Sequence, residues 1–436
     1  MAEPAPSATP PRPDGTEVRR QVRAHLATHL DAAITDPFSA EPHRDLIIRA
    51  QVEAALDANG WERDGPTVSG LMDDLVGLGP LQKYMDDDTV SDVLVNRWDE
   101  VYIERGGRLQ PTPTRFRDQA HLEQVIQKIV ALVGREISVE KPLVDARMTD
   151  GSRANAIYAP VGGPTLCIRK FNHRKLDLLP RDSSASPGRE DWVRAGGMSR
   201  AMAEFIMAMA RCGANVLISG ATGAGKSTLL RSLVGAFPAD DRVVTIEDTA
   251  ELELDAPHWV KLECVHSNSL GEQGSGERRL DVADLVQNAL RMRPDRLIVG
   301  EIRHSQEAYH TLEALNTGHD GSATTIHASG CADALARLEL LVTRDFPSLG
   351  TREVRGYIAR VFSILIHVQR LRSGLRLVTD ITELDGLDER GAYLLRPVFQ
   401  ASLGAGEAPT FEAVAGYRPG ARLSRRLALE GVRWIS

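Results

Sequence analysis

The run Gly220-Ala221-Thr222-Gly223-Ala224-Gly225-Lys226-Ser227-Thr228 has the residue types and spacing that hold phosphate groups. Glycines let a backbone fold around an anion so that successive N–H groups point at it. The lysine at the start of the following helix neutralises the terminal phosphates, and the hydroxyl after it ligates Mg2+. Lys226 and Ser227 are the candidates for those two tasks. The alternative is a chance glycine-rich turn, but here the apolar run Asn215–Ser219 precedes the loop and a helical stretch begins near Lys226. The loop alone implies a nucleoside triphosphate, since no base-reading residue is identifiable.

Acids follow two apolar runs. In RPDRLIVGEIR (293–303), Glu301 stands at the tip of a buried strand, where a carboxylate can orient an attacking water directly or through Mg2+. In VVTIEDTAELEL (243–254), Glu247 or Asp248 could act as general base towards water, with Asp248 also able to reach Mg2+ through a water. Alternatively, both are turn residues that cap a helix. The segment NTGHDGSATTIHA (316–328) carries His319 in a glycine-rich loop and His327 at a strand end. His327 could reach the γ-phosphate or a neighbouring subunit, or be structural; zinc lacks companions, with Cys331 the only nearby thiol. Further upstream, Arg147, Arg153 and Arg169 could grip phosphate bidentately, although residues of this type ordinarily lie on a surface.

The elements that must position these groups are visible as patterns. Val216–Ser219, Val243–Ile246, Leu297–Val299 and Ala323–Ile326 read as strands alternating with helices, which predicts a mostly parallel sheet covered on both faces. Such sheets bind ligands at the carboxyl ends of their strands. A helix before the loop carries Met202, Phe205, Ile206 and Met209 as a core-facing stripe. Residues 70–172 read as a small α+β domain, with β-rich runs Val93–Val95 and Val101–Ile103, a Gly106-Gly107 turn and a helix over His121–Val133. Glu17–Asp31 and His43–Asn59 show helical spacing. The expected order is a disordered segment at 1–16, a helical region at 17–69, the α+β domain at 70–172, a linker at 173–192 and the nucleotide-binding domain at 193–436.

Composition is compatible with this plan. A chain of 436 residues accommodates two to three domains of roughly 100–200 residues each. Hydrophobic residues at 42% and charged residues at 26% match soluble globular proteins. The net charge of −8 argues against a nucleic-acid binder with a basic main surface. The four cysteines form no CxxC pair, the N-terminus lacks an apolar signal stretch, and no run of about 18 apolar residues occurs. These features imply a cytosolic chain with reduced thiols.

The order of GATGAGKST, IEDTAEL, LVQNALRMRPDRLIVGEIR and LNTGHDGSATTIHA resembles the type II/IV secretion ATPases, and most closely their tight-adherence (Tad/CpaF-type) pilus assembly branch. The likeness extends upstream through VSDVLVN, EVYIERGGRL and VDARMTDGSRANAI…GPTLCIRKF, and covers residues 70–385. It implies an α/β fold: a C-terminal RecA-like P-loop ATPase domain, preceded by an α+β PAS-like N-terminal domain and an N-terminal helical segment. It further implies a homo-hexameric ring that binds ATP and Mg2+ between the two domains. In that resemblance Gly220–Thr228 is the Walker A loop, Glu247 with Asp248 the Asp box, Glu301 the end of Walker B and His327 part of the His box. Arg153 and Arg169 match the family's arginine fingers, Arg147 less closely. The implied work is pilus assembly or protein secretion, powered from the cytoplasmic face of the inner membrane through platform proteins. A low-turnover nucleotide-binding scaffold and a conjugation ATPase are the alternatives. The sequence departs from the family where Arg97-Trp98 follow Asn96 and where the Tyr158–Gly163 loop is short, and residues 1–60 and the tail beyond about 385 are not covered.

Overall fold

Alternation along VSDVLVN and EVYIER turns Val93, Val95, Val101 and Ile103 to one face, and the computed structural model builds strands β1 (Val90–Arg97) and β2 (Glu100–Arg105) from them. It describes residues 15–36, 41–171, 176–179, 190–265, 280–404 and 408–432. The chain divides into two units, Met1–Phe171 and Asn172–Ser436.

In the first unit β3 (Arg108–Pro111) returns from β2 through Gly106-Gly107, both at positive φ, the geometry a two-residue hairpin turn requires. Strands β4 (Leu143–Arg147), β5 (Arg153–Ile157) and β6 (Thr165–Arg169) complete an antiparallel sheet of order β3-β2-β1-β6-β5-β4. Helix Gln119–Leu132 lays Leu122, Ile126 and Ile129 on its apolar face. Asp118 caps that helix by accepting from the His121 N–H at 2.8 Å. Upstream, helices Gly15–His29, Arg44–Ala58 and Gly65–Leu75 bury Val22, Leu26, Ile48, Val52, Leu56 and Leu71 in a core of their own. The third of these helices runs across the boundary expected at residue 70. The segment expected to be disordered lies outside the described residues apart from its last two, which begin the first helix.

The second unit is built on a nine-stranded sheet. Its strands are β9 (Val216–Ser219), β10 (Val243–Glu247), β11 (Trp259–Glu263), β12 (Arg296–Ile302), β13 (Ala323–Ile326), β14 (Ile364–Arg370), β15 (Arg376–Leu387), β16 (Tyr393–Ser402) and β17 (Thr410–Ala413). The order is β11-β10-β12-β13-β9-β14-β15-β16-β17. β11 through β14 in that order run parallel, and β15 to β17 extend the sheet antiparallel. The four predicted strands all occur in the parallel part. The antiparallel extension is a finding beyond that expectation.

Side-chain alternation divides the core between the two faces. Val216, Ile218, Val243 and Ile298 face one helical layer, while Leu217, Val244, Leu297 and Val299 face the other. Met202, Phe205, Ile206 and Met209 are buried in the first layer. Where a linker is expected over 173–192, the described ends are part of this unit. β7 (Leu176–Asp177) pairs with β8 (Glu190–Asp191), and Leu178 and Trp192 enter the core. The Trp192 Nε1–H donates to Ser232 Oγ at 2.9 Å, on the helix that follows the phosphate loop. The rest of that linker lies outside the described residues. Among the described residues, no helix is long and apolar enough to cross a membrane.

Candidate functional site

Because β9, β10, β12 and β13 are parallel, the residues that follow them emerge at one edge of the sheet: Gly220, Asp248, Arg303 and His327. The phosphate loop leaves β9 with Gly220, Gly223 and Gly225 at φ 159°, 70° and 104°. A Cβ on Gly220 would stand 2.4 Å from the Val368 carbonyl oxygen of β14, so only glycine passes there. Gly225 is the N-cap of helix Lys226–Val234, which aims that helix's N-terminal N–H groups into the loop.

Lys226 is buried and donates to the carbonyls of Gly220 and Ala221, both at 3.2 Å. Its Nζ also lies 3.2 Å from His327 Nδ1 and 3.3 Å from Glu301 Oε1. His327 Nε2 is 3.1 Å from the same Glu301 oxygen. An ammonium only donates, so Nδ1 accepts and the imidazole proton belongs on Nε2, directed at Glu301. Burial, followed by the Lys226 charge, lowers the His327 pKa and favours this neutral ring. Burial also lowers the Lys226 pKa, against the pull of Glu301.

Glu301 reaches this position through an irregularity in its strand. β12 pairs with β13 at Val299, loses register over Gly300 and Glu301, and resumes at Ile302. The Thr325 hydroxyl donates to the Gly300 carbonyl at 2.8 Å and fixes the slip. Burial alone would raise the Glu301 pKa. The hydrogen bond from Arg303, with the charges of Lys226, His327 and Arg303, more than offsets this and holds the carboxyl below its ordinary range.

The two acids of IEDT part company. Glu247 is buried, and its Oε1 accepts the backbone N–H of Glu251 at 2.9 Å and of Leu252 at 3.0 Å. No helix follows β10, so the reading of both acids as helix caps is not met: Glu247 alone accepts backbone N–H groups, from an irregular turn. Burial raises its pKa to about 7, although the two backbone donors favour the ion. Asp248 points outward and its Oδ2 pairs with Arg303 Nη1 at 3.2 Å.

Other expected residues fall elsewhere. His319 donates from Nδ1 to the Ala314 carbonyl at 2.9 Å and closes the end of helix Ser305–Leu315. Arg147, Arg153 and Arg169 lie in the first unit, aligned by strand register: Arg147 opposite Arg153, and Arg153 opposite Arg169. Arg169 Nε is 3.1 Å from Asp92 Oδ1.

Three site residues went unnoticed in the sequence. Arg303 has a local signal, standing two residues beyond Glu301 where side chains return to the same side of a strand. Arg376, which donates from Nε to the Gly223 carbonyl at 3.0 Å across 153 residues, has none. Nor does the buried His367, whose Nδ1 lies 2.9 Å from Ser219 Oγ just before the loop.

Among the described residues, no group of three or more His, Cys, Asp or Glu is placed to hold a metal ion. The oxygen donors at this edge are the Ser227 hydroxyl and the Asp248 carboxylate, the latter paired with Arg303, and oxygen donors are the kind Mg2+ takes.

The family described as Type II/IV secretion system protein matches residues 74–381. A putative conjugal transfer protein of Mycobacterium tuberculosis is 34% identical over 320 residues, 72% of this chain and 86% of that protein. The type IV secretion system protein VirB11 of Bartonella henselae is 28% identical over 338 residues, 70% of this chain and 92% of that protein. Among solved structures, the VirB11 ATPase of Brucella suis is 25% identical over 70% of this chain and 92% of its own, with a TM-score of 0.37.

Proposed function

The chain belongs to the Type II/IV secretion system protein family and is a P-loop ATPase, and from that premise we propose that it is the ATP-driven motor of a secretion or conjugal-transfer machine. The observation that carries this reading is the meeting of Lys226, His327 and Glu301 beside the phosphate loop. Lys226 gives up the Gly220 and Ala221 carbonyls for the β- and γ-phosphates. The Ser227 hydroxyl would hold Mg2+, which would supply charge neutralisation for the phosphates when bound. Glu301, freed from Lys226 on Oε1, orients the water that attacks the γ-phosphorus. The bond to the β–γ bridging oxygen breaks, ADP carries away that oxygen, and the water's proton passes to an oxygen of the released phosphate. His327 presents Nε2–H toward the same charge. Glu247 serves this site through the loop it caps.

The wider reading places the motor as a homo-hexamer at the cytoplasmic face of the inner membrane, acting through platform proteins. Arg153 and Arg169, with Arg147 beside them, complete the site as fingers. The parallel order with the phosphate loop on an inner strand supports the label RecA-like, and the antiparallel sheet with its helix supports PAS-like. Relatives named for conjugal transfer and type IV secretion favour that kind of machine. Assembly of a tight-adherence pilus is a narrower second reading, favoured by the motifs VSDVLVN and EVYIERGGRL. The net charge of −8 favours a protein cargo over DNA handled by this subunit itself.

Phosphate release by Lys226→Ala and Glu301→Gln tests the enzyme. Each is expected to lose at least about a hundredfold in turnover. Unchanged turnover in either would sink the assignment of the site, and a wild-type chain that binds ATP without releasing phosphate would make it a scaffold.

A further inference from the structure

Arg303 spans the tips of two neighbouring parallel strands. Its Nε is 2.6 Å from Oε2 of Glu301 near the end of β12, and its Nη1 is 3.2 Å from Asp248 Oδ2 just after β10. Two carboxylates side by side repel each other, and the planar fork of a guanidinium can hold both where a lysine could meet them only as a point charge. The base of the side chain is fixed as well. The Arg303 backbone N–H donates to Glu307 Oε2 at 2.7 Å, and the buried Glu307 also accepts from the His304 N–H at 3.0 Å in the first turn of the next helix.

The two oxygens of Glu301 therefore have different partners. Oε1 faces Lys226 and His327 on the phosphate side, while Oε2 is held by Arg303 alone among the contacts described. When Lys226 leaves for phosphate, Arg303 still holds Oε2 while His327 remains on Oε1, so the shorter Arg303 contact fixes which way the carboxylate is turned.

We propose that Arg303 is a positioning residue for hydrolysis, fixing the Glu301 carboxylate so that one chosen oxygen meets the attacking water and locking Asp248 to it at constant spacing. This rests on the assignment of Glu301 made above. A purely structural ion pair predicts something else. The Arg303 side chain is 43% exposed, and an ion pair of that kind adds little to stability and leaves turnover unchanged.

The test uses the full chain with the substitutions R303M and R303K, alongside K226A and E301Q. Turnover and KM for ATP, affinity for a fluorescent ATP analogue and the thermal midpoint are measured for each. Positioning predicts that R303M loses about tenfold to a hundredfold in kcat, with KM and analogue affinity within about threefold of wild type. R303K, which keeps the charge but not the fork, recovers only part of that loss. If R303M does not fold, a lowered kcat at unchanged KM in R303K supports the proposal and a wild-type kcat overturns it. Wild-type kcat in R303M, or a loss confined to KM, overturns it while K226A and E301Q remain inactive. Activity retained in K226A and E301Q would instead remove the site assignment on which the proposal stands.

Discussion

Lys226 Nζ lies 3.2 Å from His327 Nδ1 although 101 residues separate them. The contact exists because β13, which ends just before His327, pairs in parallel with β9, which ends just before the phosphate loop. With Nδ1 engaged by the lysine, Nε2–H is directed at the Glu301 carboxylate, the group proposed to orient water. His327→Ala should therefore lower turnover at saturating ATP by at least about tenfold, with a smaller effect on nucleotide affinity. Steady-state phosphate release checks this, and wild-type turnover would reduce His327 to a resting partner of Lys226.

Glu247 predicts a pH dependence of stability. Burial takes its pKa from an ordinary 4.5 to about 7, so the folded chain holds this proton more tightly than the unfolded one. Its contribution is most favourable below about 4.5 and is lost as pH rises through about 7. At pH 8 the buried ion costs on the order of 3 kcal/mol. Glu247→Gln should abolish this slope, so the difference in thermal midpoint between variant and wild type should shift in the variant's favour from pH 5.5 to pH 8. A difference that does not change with pH would mean that Glu247 does not titrate in this window.

Gly220→Ala should damage the phosphate loop without unfolding the sheet. The added Cβ meets the Val368 carbonyl oxygen at 2.4 Å, backbone against backbone, where no side chain can yield. Displacing the loop should weaken binding of a fluorescent ATP analogue at least about tenfold and cost about 1–3 kcal/mol of stability. Wild-type affinity in a titration would contradict the close approach of β14 to the loop.

The aligned arginines give a fourth test. If Arg153 and Arg169 act as fingers, Arg153→Ala and Arg169→Ala should each reduce turnover at saturating ATP by at least about tenfold. Their thermal midpoints should stay near wild type, because both lie on strands whose inward-facing neighbours, such as Ala154 and Ile168, carry the packing. Full turnover in both variants would return them to the status of surface charges.

What could be read from the chain alone was whatever depends on near neighbours. The phosphate loop is such a feature: nine consecutive residues between a strand and a helix, whose glycines and lysine declare their use by spacing. The alternating valines of β1 and β2 and the 3.6-residue stripe from Met202 to Met209 are others, since each reports a local period that one buried face imposes. Glu301 and His327 were visible as polar residues at the ends of apolar runs, but not what each would touch. That was decided by strand order, which brings β13 between β9 and β12 and so sets His327 beside both Lys226 and Glu301. The same kind of long-range choice turned Glu247 inward to cap backbone N–H groups while Asp248, the next residue, turned out to Arg303. It also brought Arg376 to Gly223 from 153 residues away. Local periodicity specifies which residues form an element and which face is apolar. Which elements become neighbours depends on burying those faces together, and no short stretch of sequence contains that information.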